Sequence, residues 1–248
     1  MKRIISATIL LTVGVLMGPA SSHAAVLVRD YELNGSFADT LGGPAINPDG
    51  GTLNATNYSF GQNQGLNVLN AAAPHDYSFN DYSIETTFSF STLSGFRKIL
   101  DFKDRTSDSG LYNLNTALNF FPVATATGSP GAFTADVPAH LVVTRDAVSS
   151  QFVGYVNGVQ QISFPDSSGL AVFDSTGNIM RFFEDDSVTG QSEASAGVVD
   201  FIRIYKGALT ATEVRALEQP VPEPATLLLA GVGISTLVVG AWRRRGRS

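Results

Sequence analysis

Tyr82-Ser83-Ile84-Glu85-Thr86-Thr87-Phe88-Ser89-Phe90 decides the fold. Tyr82, Ile84, Thr86, Phe88 and Phe90 alternate with Ser83, Glu85, Thr87 and Ser89. Successive side chains of an extended chain point to opposite faces, so a period of two predicts a half-buried strand with one wet face. Downstream, the runs 151–156 and 159–164 flank Asn157-Gly158. A type I′ turn needs positive φ at both central residues, and Asn-Gly tolerates that, so the two runs predict a hairpin. Further strands are expected at 27–33, 66–69, 97–102, 118–121, 141–144, 179–183 and 198–205. Loops rich in Gly, Asn, Ser, Asp and Pro separate them at 42–51, 104–110, 124–130 and 185–197. One helix is signalled. In Thr210-Ala211-Thr212-Glu213 the hydroxyl and the carboxylate can satisfy each other's backbone N–H groups, Leu209 and Val214 stand at the staple positions, and the helix should end near Glu218. Short antiparallel strands with one small C-terminal helix predict an all-β, two-sheet antiparallel jelly-roll sandwich.

The two ends of the chain are of another kind. Lys2 and Arg3 precede a mostly apolar stretch, 4–20, and Ser22-His23-Ala24 places small residues at the −3 and −1 positions of a cleavage site. Residues 1–24 therefore predict a secretory signal peptide cut after Ala24. At the other end Pro220-Val221-Pro222-Glu223-Pro224 halts regular structure, because proline fixes φ and donates no hydrogen bond. From Ala225 to Trp242 run 18 residues without a charge, against the roughly 17–25 that a membrane-spanning helix needs. Arg243, Arg244 and Arg245 follow, and such a cluster stays on the cytoplasmic side, which puts the body across the membrane. Residues 220–248 resemble the bacterial PEP-CTERM sorting signal, and 25–219 form the body between. The resemblance implies a transient inner-membrane anchor, recognition by an exosortase and processing near Pro222, Glu223 and Pro224. It also implies delivery to the cell surface or extracellular matrix of a Gram-negative bacterium that makes exopolysaccharide or biofilm. Signal peptidase and exosortase are then the processing partners.

Residues 25–219 hold 10 of the 16 basic and 21 of the 22 acidic residues, a balance of −11. That acidity argues against nucleic acid and anionic head groups and is compatible with neutral glycans or calcium. The chain has no cysteine, which excludes disulfides, a thiol nucleophile and cysteine-ligated metal.

Three stretches of the body are similar to the laminin-G-like branch of the concanavalin-A-like lectin/glucanase fold. They are Tyr31-Glu32-Leu33-Asn34-Gly35 with Ala38-Asp39-Thr40, then His140-Leu141-Val142-Val143-Thr144-Arg145-Asp146 with Gly154-Tyr155-Val156-Asn157-Gly158. The third is Val199-Asp200-Phe201-Ile202-Arg203-Ile204-Tyr205-Lys206-Gly207-Ala208-Leu209-Thr210. Ala139 and Phe201 depart from the family's pattern, which often has Trp and an acidic residue there. The resemblance implies a structural calcium between opening loop and closing strand, where Asp39 and Asp200 are the candidate ligands.

Glycan hydrolases pair two carboxylates across one cleft, about 5 Å apart when they retain configuration. The chain has no strand with carboxylates at alternate positions, so no catalytic residue and no enzyme activity are expected. Glu184-Asp185-Asp186 reads as a solvated strand end, His75 as a loop residue and His140 as a packing or hydrogen-bonding residue. Tyr58, Phe60 and Tyr77, among Asn57, Gln62, Asn63 and Asn80, are the candidates for a sugar-stacking platform. The expectation is an exported, non-catalytic module that binds exopolysaccharide, another surface glycan or protein. The alternatives are a glycan-active enzyme of the same fold and a purely structural or adhesive matrix protein.

Overall fold

The computed structural model describes residues 24–69, 78–173 and 179–218. The signal peptide before Ala24, His75, Tyr77 and the whole sorting tail, with Pro222, Glu223, Pro224, Ala225, Trp242 and Arg243–Arg245, lie outside them. The strands are β1 Val26–Tyr31, β2 Asn47–Asp49, β3 Thr52–Leu53, β4 Tyr58–Phe60, β5 Gly65–Leu69, β6 Tyr82–Phe90 and β7 Phe96–Asp101. They continue as β8 Gly110–Leu114, β9 Ala117–Phe121, β10 Ala139–Arg145, β11 Gln151–Val156, β12 Val159–Pro165, β13 Ile179–Phe182 and β14 Gly197–Lys206, and one helix follows, α1 Ala211–Leu217. An eight-stranded sheet runs β12-β11-β10-β6-β14-β4-β3, with β1 also on β14, and a six-stranded sheet runs β2-β5-β13-β7-β8-β9. Every strand pair is antiparallel.

The expected two-sheet sandwich is present, and the alternation explains it. Ile84 and Phe88 of β6, Leu141 and Val143 of β10, and Ile202 and Ile204 of β14 all enter one buried core with Leu100, Leu118, Phe120 and Phe182 of the facing sheet. The hairpin forms on Asn157 (φ 50°) and Gly158 (φ 70°). The helix starts at a Thr210–Glu213 capping box and is capped at its end by Glu218.

Two features differ from the sequence reading. The first is a set of strands that the sequence does not mark: β2 and β4 occupy residues read as loop, β3 residues given no element, and β8 begins in a loop read at 104–110. Strands of two or three residues carry no periodicity and are fixed only by the neighbours they pair with. The second difference is the face of β6 expected to be wet. Ser83 and Glu85 are buried as deeply as the core residue Ile84 between them. In the register, Glu85 lies between Val142 and Arg203, and Ser83 between Thr144 and Tyr205. A second apolar cluster of Val142, Tyr155, Tyr205, Leu209 and Val214, joined by Ala25, Leu27, Val153 and Leu217, covers this outer face with α1. Under the helix the central strand loses its wet face over Ser83 and Glu85, while Thr87 and Ser89 stay half-buried, and amphipathic alternation cannot reveal that the polar side is roofed.

Candidate functional site

The outer face of the eight-stranded sheet carries a polar network and, next to it, a cleft. Glu85 accepts hydrogen bonds from Tyr205 Oη at 2.5 Å and, at 3.0 Å, from His140 Nε2. Arg203 Nη1 stands 3.6 Å from it. The Arg203 guanidinium also donates to Asp30 and Glu32 of the opening segment and lies 4.4 Å from the Phe201 ring. His140 Nδ1 pairs with Glu218 at the end of α1. The hairpin turn holds the histidine backbone, since His140 N donates to Asn157 Oδ1 and Asn157 N donates to His140 O. Burial opposes charge on His140, but the hydrogen bonds to Glu85 and Glu218 outweigh it and raise the imidazole pKa. The predicted role of His140 as a hydrogen-bonding residue matches this geometry.

Beside this network opens a cleft of about 650 Å³, with β10 and β11 along one side and the turn from Gly207 to Ala211 along the other. Its polar lining includes Asp81, Thr144, Asp146 and Gln151, and its apolar lining includes Val153, Tyr155 and Leu209. The 207–209 turn is pinned from below, because Ser83 Oγ donates to Gly207 O and accepts from Leu209 N. Asp81 Oδ1 accepts from Ala147 N, and Asp146 Oδ1 from the backbone and hydroxyl of Ser149. The Val148 N–H also bonds the Asp146 carboxylate, and both carboxylates line the cleft. The sequence reading missed this site. Asp146 and Ser149 have the spacing of an Asx turn, but nothing in the sequence links them to Asp81.

The opposite, outer face of the six-stranded sheet is closed by the loop after β13. Glu184, Asp185 and Asp186 are not the solvated strand end that the sequence predicts: all three are buried to 0 % exposure, Asp185 and Asp186 beside Lys98 and Glu184 beside Arg181 and Arg105. Lys98 Nζ lies 3.0 Å from Asp186, 3.5 Å from Asp101 and 3.9 Å from Asp185, with Ser109 O at 3.2 Å. Glu184 Oε2 accepts from Arg181 and Arg105, whereas Glu184 Oε1 has no partner. Burial pushes the Glu184 carboxyl up to about 7 against the pull of Arg181, and Asp49 adds to the rise. Burial beside Asp185 and Asp108 also brings Glu193 to about 7.

These shifts predict the pH dependence of stability. A carboxyl with a raised folded-state pKa stabilises in full below its unfolded value, near 4.3, and loses that contribution as pH rises through about 7. His140 has the same sign: its contribution is full below about 6.5 and is lost as pH rises through its raised folded-state value. Glu85 and Asp186 are lowered, so their contribution is present above about 4 and lost as pH falls. Stability should therefore peak near pH 5–6 and decline by pH 8. Glu184→Gln should flatten that alkaline decline, by up to about 3 kcal/mol, in urea titrations of the purified body. An equally steep decline in the variant overturns the assignment.

The structure moves two of the candidate sugar-stacking residues into the core. Tyr58 is 0 % and Phe60 3 % exposed. Tyr58 Oη donates to Gly50 O and Gly65 O, and Phe60 stacks on Phe183 at 4.4 Å. Both belong to β4, which aims alternate rings inward, so they form no sugar platform. Asp39 holds the opening loop together. Its carboxylate accepts from the N–H groups of Asp30, Leu41 and Gly43 and faces Arg29 at 3.7 Å. Asp200 sits at a bulge in β14, where burial raises its pKa. Calcium takes six to eight oxygens, and among the described residues no group of three or more His, Asp or Glu side chains is placed to hold a metal ion. The Asp39 carboxylate is already engaged by three backbone N–H groups and a guanidinium.

Comparison with known proteins agrees with this architecture. A family model described as the concanavalin A-like lectin/glucanases superfamily, Laminin_G_3, matches residues 60–215. A second, the PEP-CTERM protein-sorting motif, matches 220–245. None of the curated proteins matches. Among solved structures the chain is similar to domain 4 of AbnA, a GH43 extracellular arabinanase from Geobacillus stearothermophilus, in complex with arabinotriose. The TM-score is 0.55 and the identity 18 %, over 79 % of this chain and 100 % of that one. It is also similar to Trypanosoma rangeli sialidase in complex with 2,3-difluorosialic acid, with a TM-score of 0.60 and 18 % identity over 77 % of this chain and 32 % of the sialidase. The binding domain of botulinum neurotoxin serotype D gives 0.53 and 12 % identity over 78 % of this chain and 51 % of that one. The chain thus spans all of the arabinanase domain but about a third of the sialidase. At these identities the likeness shows the fold alone.

Proposed function

Because the chain belongs to the concanavalin A-like lectin/glucanases superfamily and carries a PEP-CTERM sorting motif, we propose that it is an exported, non-catalytic module that binds neutral glycan at the cell surface or in the extracellular matrix. The observation that carries this reading is the cleft. Asp81 and Asp146 offer carboxylate oxygens to sugar hydroxyls, Gln151 offers an amide, and Val153, Tyr155 and Leu209 supply an apolar wall for the C–H face of a ring. Small-ligand sites of this size combine a mostly apolar lining with a few placed polar groups. The −11 balance of the body disfavours anionic sugars. The neighbours in the fold include an arabinanase domain with bound arabinotriose and a sialidase, which supports a sugar ligand. Exosortase and signal peptidase are the processing partners in this reading, and the host is a Gram-negative bacterium.

A panel of neutral and acidic oligosaccharides titrated into the purified body tests the proposal. Neutral sugars should bind, with equal affinity in calcium and in chelator. A hydrogen bond to a charged group contributes about 1.5–3 kcal/mol, so Asp146→Asn should weaken binding by about tenfold or more. Glu193→Gln, on the opposite face, should not. Cleavage of the sugar, or binding indifferent to both Asp146→Asn and Asp81→Asn, sinks the reading.

A further inference from the structure

Both ends of the folded body emerge on one face, at the rim of the cleft. β1 and β14 are antiparallel neighbours, with Val26 opposite Lys206. Ala25, the first residue after the expected signal-peptide cut, joins the apolar cluster on the outer face of the eight-stranded sheet. A methyl group placed on Gly207, which lines the cleft, would meet the Ala25 Cα at 3.6 Å. At the other end α1 begins with Ala211, also in the cleft lining, and packs Val214 and Leu217 on the same cluster. Seven residues of helix rise about 10 Å. The chain therefore leaves the body within about 10 Å of the cleft, where the His140–Glu218 pair holds the helix end down.

The sequence gives the length of the leash. With the signal peptide cut after Ala24, the tail alone anchors the body, and six residues, 219–224, separate Glu218 from the apolar run. Fully extended, they reach about 22 Å. Two stacked sheets with their outer side chains and a helix are at least that thick, since the sheet planes alone stand about 10 Å apart. A leash of this length cannot carry the body over onto its other face.

We propose that the outer face of the eight-stranded sheet, with the cleft, is turned toward the bilayer while the chain is anchored, and that C-terminal processing exposes it. With the cleft read as a glycan site, on which this consequence rests, the precursor excludes a polymeric glycan and the processed protein admits it. The anchored form is held blind and starts to bind only after it is sorted.

The chain has no cysteine, so a single introduced thiol reports accessibility without any glycan. Val148→Cys lies at the cleft rim, 97 % exposed, and Val188→Cys lies in the loop on the opposite face, 62 % exposed. The full-length chain is expressed in spheroplasts of a host without exosortase, where it stays anchored, and of one with a matching exosortase. Both are treated with a bulky maleimide-polyethylene glycol. The expected result is a ratio of Val148→Cys to Val188→Cys labelling that is several-fold lower in the anchored chain than in the processed one. A long Gly/Ser insertion between Gln219 and Pro220 should restore the ratio in the anchored chain, because a flexible leash frees the orientation. Equal ratios in anchored and processed protein, or no response to the longer leash, overturn the proposal. If the ratios differ as expected and the processed protein binds no neutral glycan, the membrane-facing orientation stands and the glycan reading of the cleft falls.

Discussion

Lys98→Met should lower the unfolding free energy by about 3–5 kcal/mol, the cost of removing one partner from a buried ion cluster. Lys98 is 0 % exposed and its ammonium faces Asp186, Asp101 and Asp185. It also sits 4.3 Å from the centre of the Tyr112 ring. Methionine keeps the apolar stem and the volume, so the change isolates the charge. Three carboxylates would then lie close together in a site that excludes water, with Arg105 and Arg181 committed to Glu184. The loop that closes this face owes its path to the same contacts. Asp186 Oδ1 accepts from the N–H groups of Val188 and Thr189, and Asp185 Oδ2 from Glu193 N. Proteolysis of the variant should therefore begin between residues 184 and 197. Chemical denaturation measures the energy, and a loss under about 1 kcal/mol, the scale of an exposed ion pair, would refute the burial argument.

Phe183→Ala should cost a comparable amount, about 3–5 kcal/mol for a large-to-small core substitution. Phe183 has φ 67°, in the left-handed region that a bulky residue rarely adopts. Its ring lies 4.4 Å from Phe60, 5.3 Å from Phe88 and 5.9 Å from Phe90. The unusual backbone has a visible consequence. Consecutive strand residues point to opposite faces, yet Phe182 and Phe183 both enter the core. The left-handed residue turns the chain so that they can, and the next residues follow: Glu184 reaches Arg181 and Arg105, and Asp185 and Asp186 reach Lys98. Alanine retains the φ angle and loses the aromatic contacts that hold it, so the variant should also loosen the carboxylate loop. Thermal unfolding with near-ultraviolet dichroism reads both effects. A variant as stable as the parent would mean that the rings fill no defined gap.

The sites were legible to different degrees, for physical reasons. Asp146 with Ser149 and the Thr210–Glu213 box are local, so they could be read from spacing. The cleft joins residues from 81 to 211 through sheet register, and no spacing encodes that. Glu184-Asp185-Asp186 looked solvated because three acids in a row are normally exposed. Lys98, the partner of Asp185 and Asp186, lies 88 residues from Asp186 in sequence, and only the pairing of β13 with β7 brings the two segments together. Tyr58 and Phe60 looked like loop aromatics because a three-residue strand gives too short a pattern to show a period.

By itself the sequence determined what depends on neighbours along the chain. That includes the period-two strands, the Asn157-Gly158 hairpin, the capped helix, the acidic cysteine-free body and the two apolar, basic-flanked ends. Those features act over a few residues, where torsional preference, side-chain alternation and local hydrogen bonds are sufficient. The tertiary structure alone decided which polar residues are dry, that the outer side of β6 is roofed by α1, and that Asp81, Asp146 and Tyr155 line one cleft. It also decided that Ala25 and Glu218 leave from the same face. Burial and long-range pairing depend on strand order and register, and these are set by the packing of the whole sandwich rather than by any one segment.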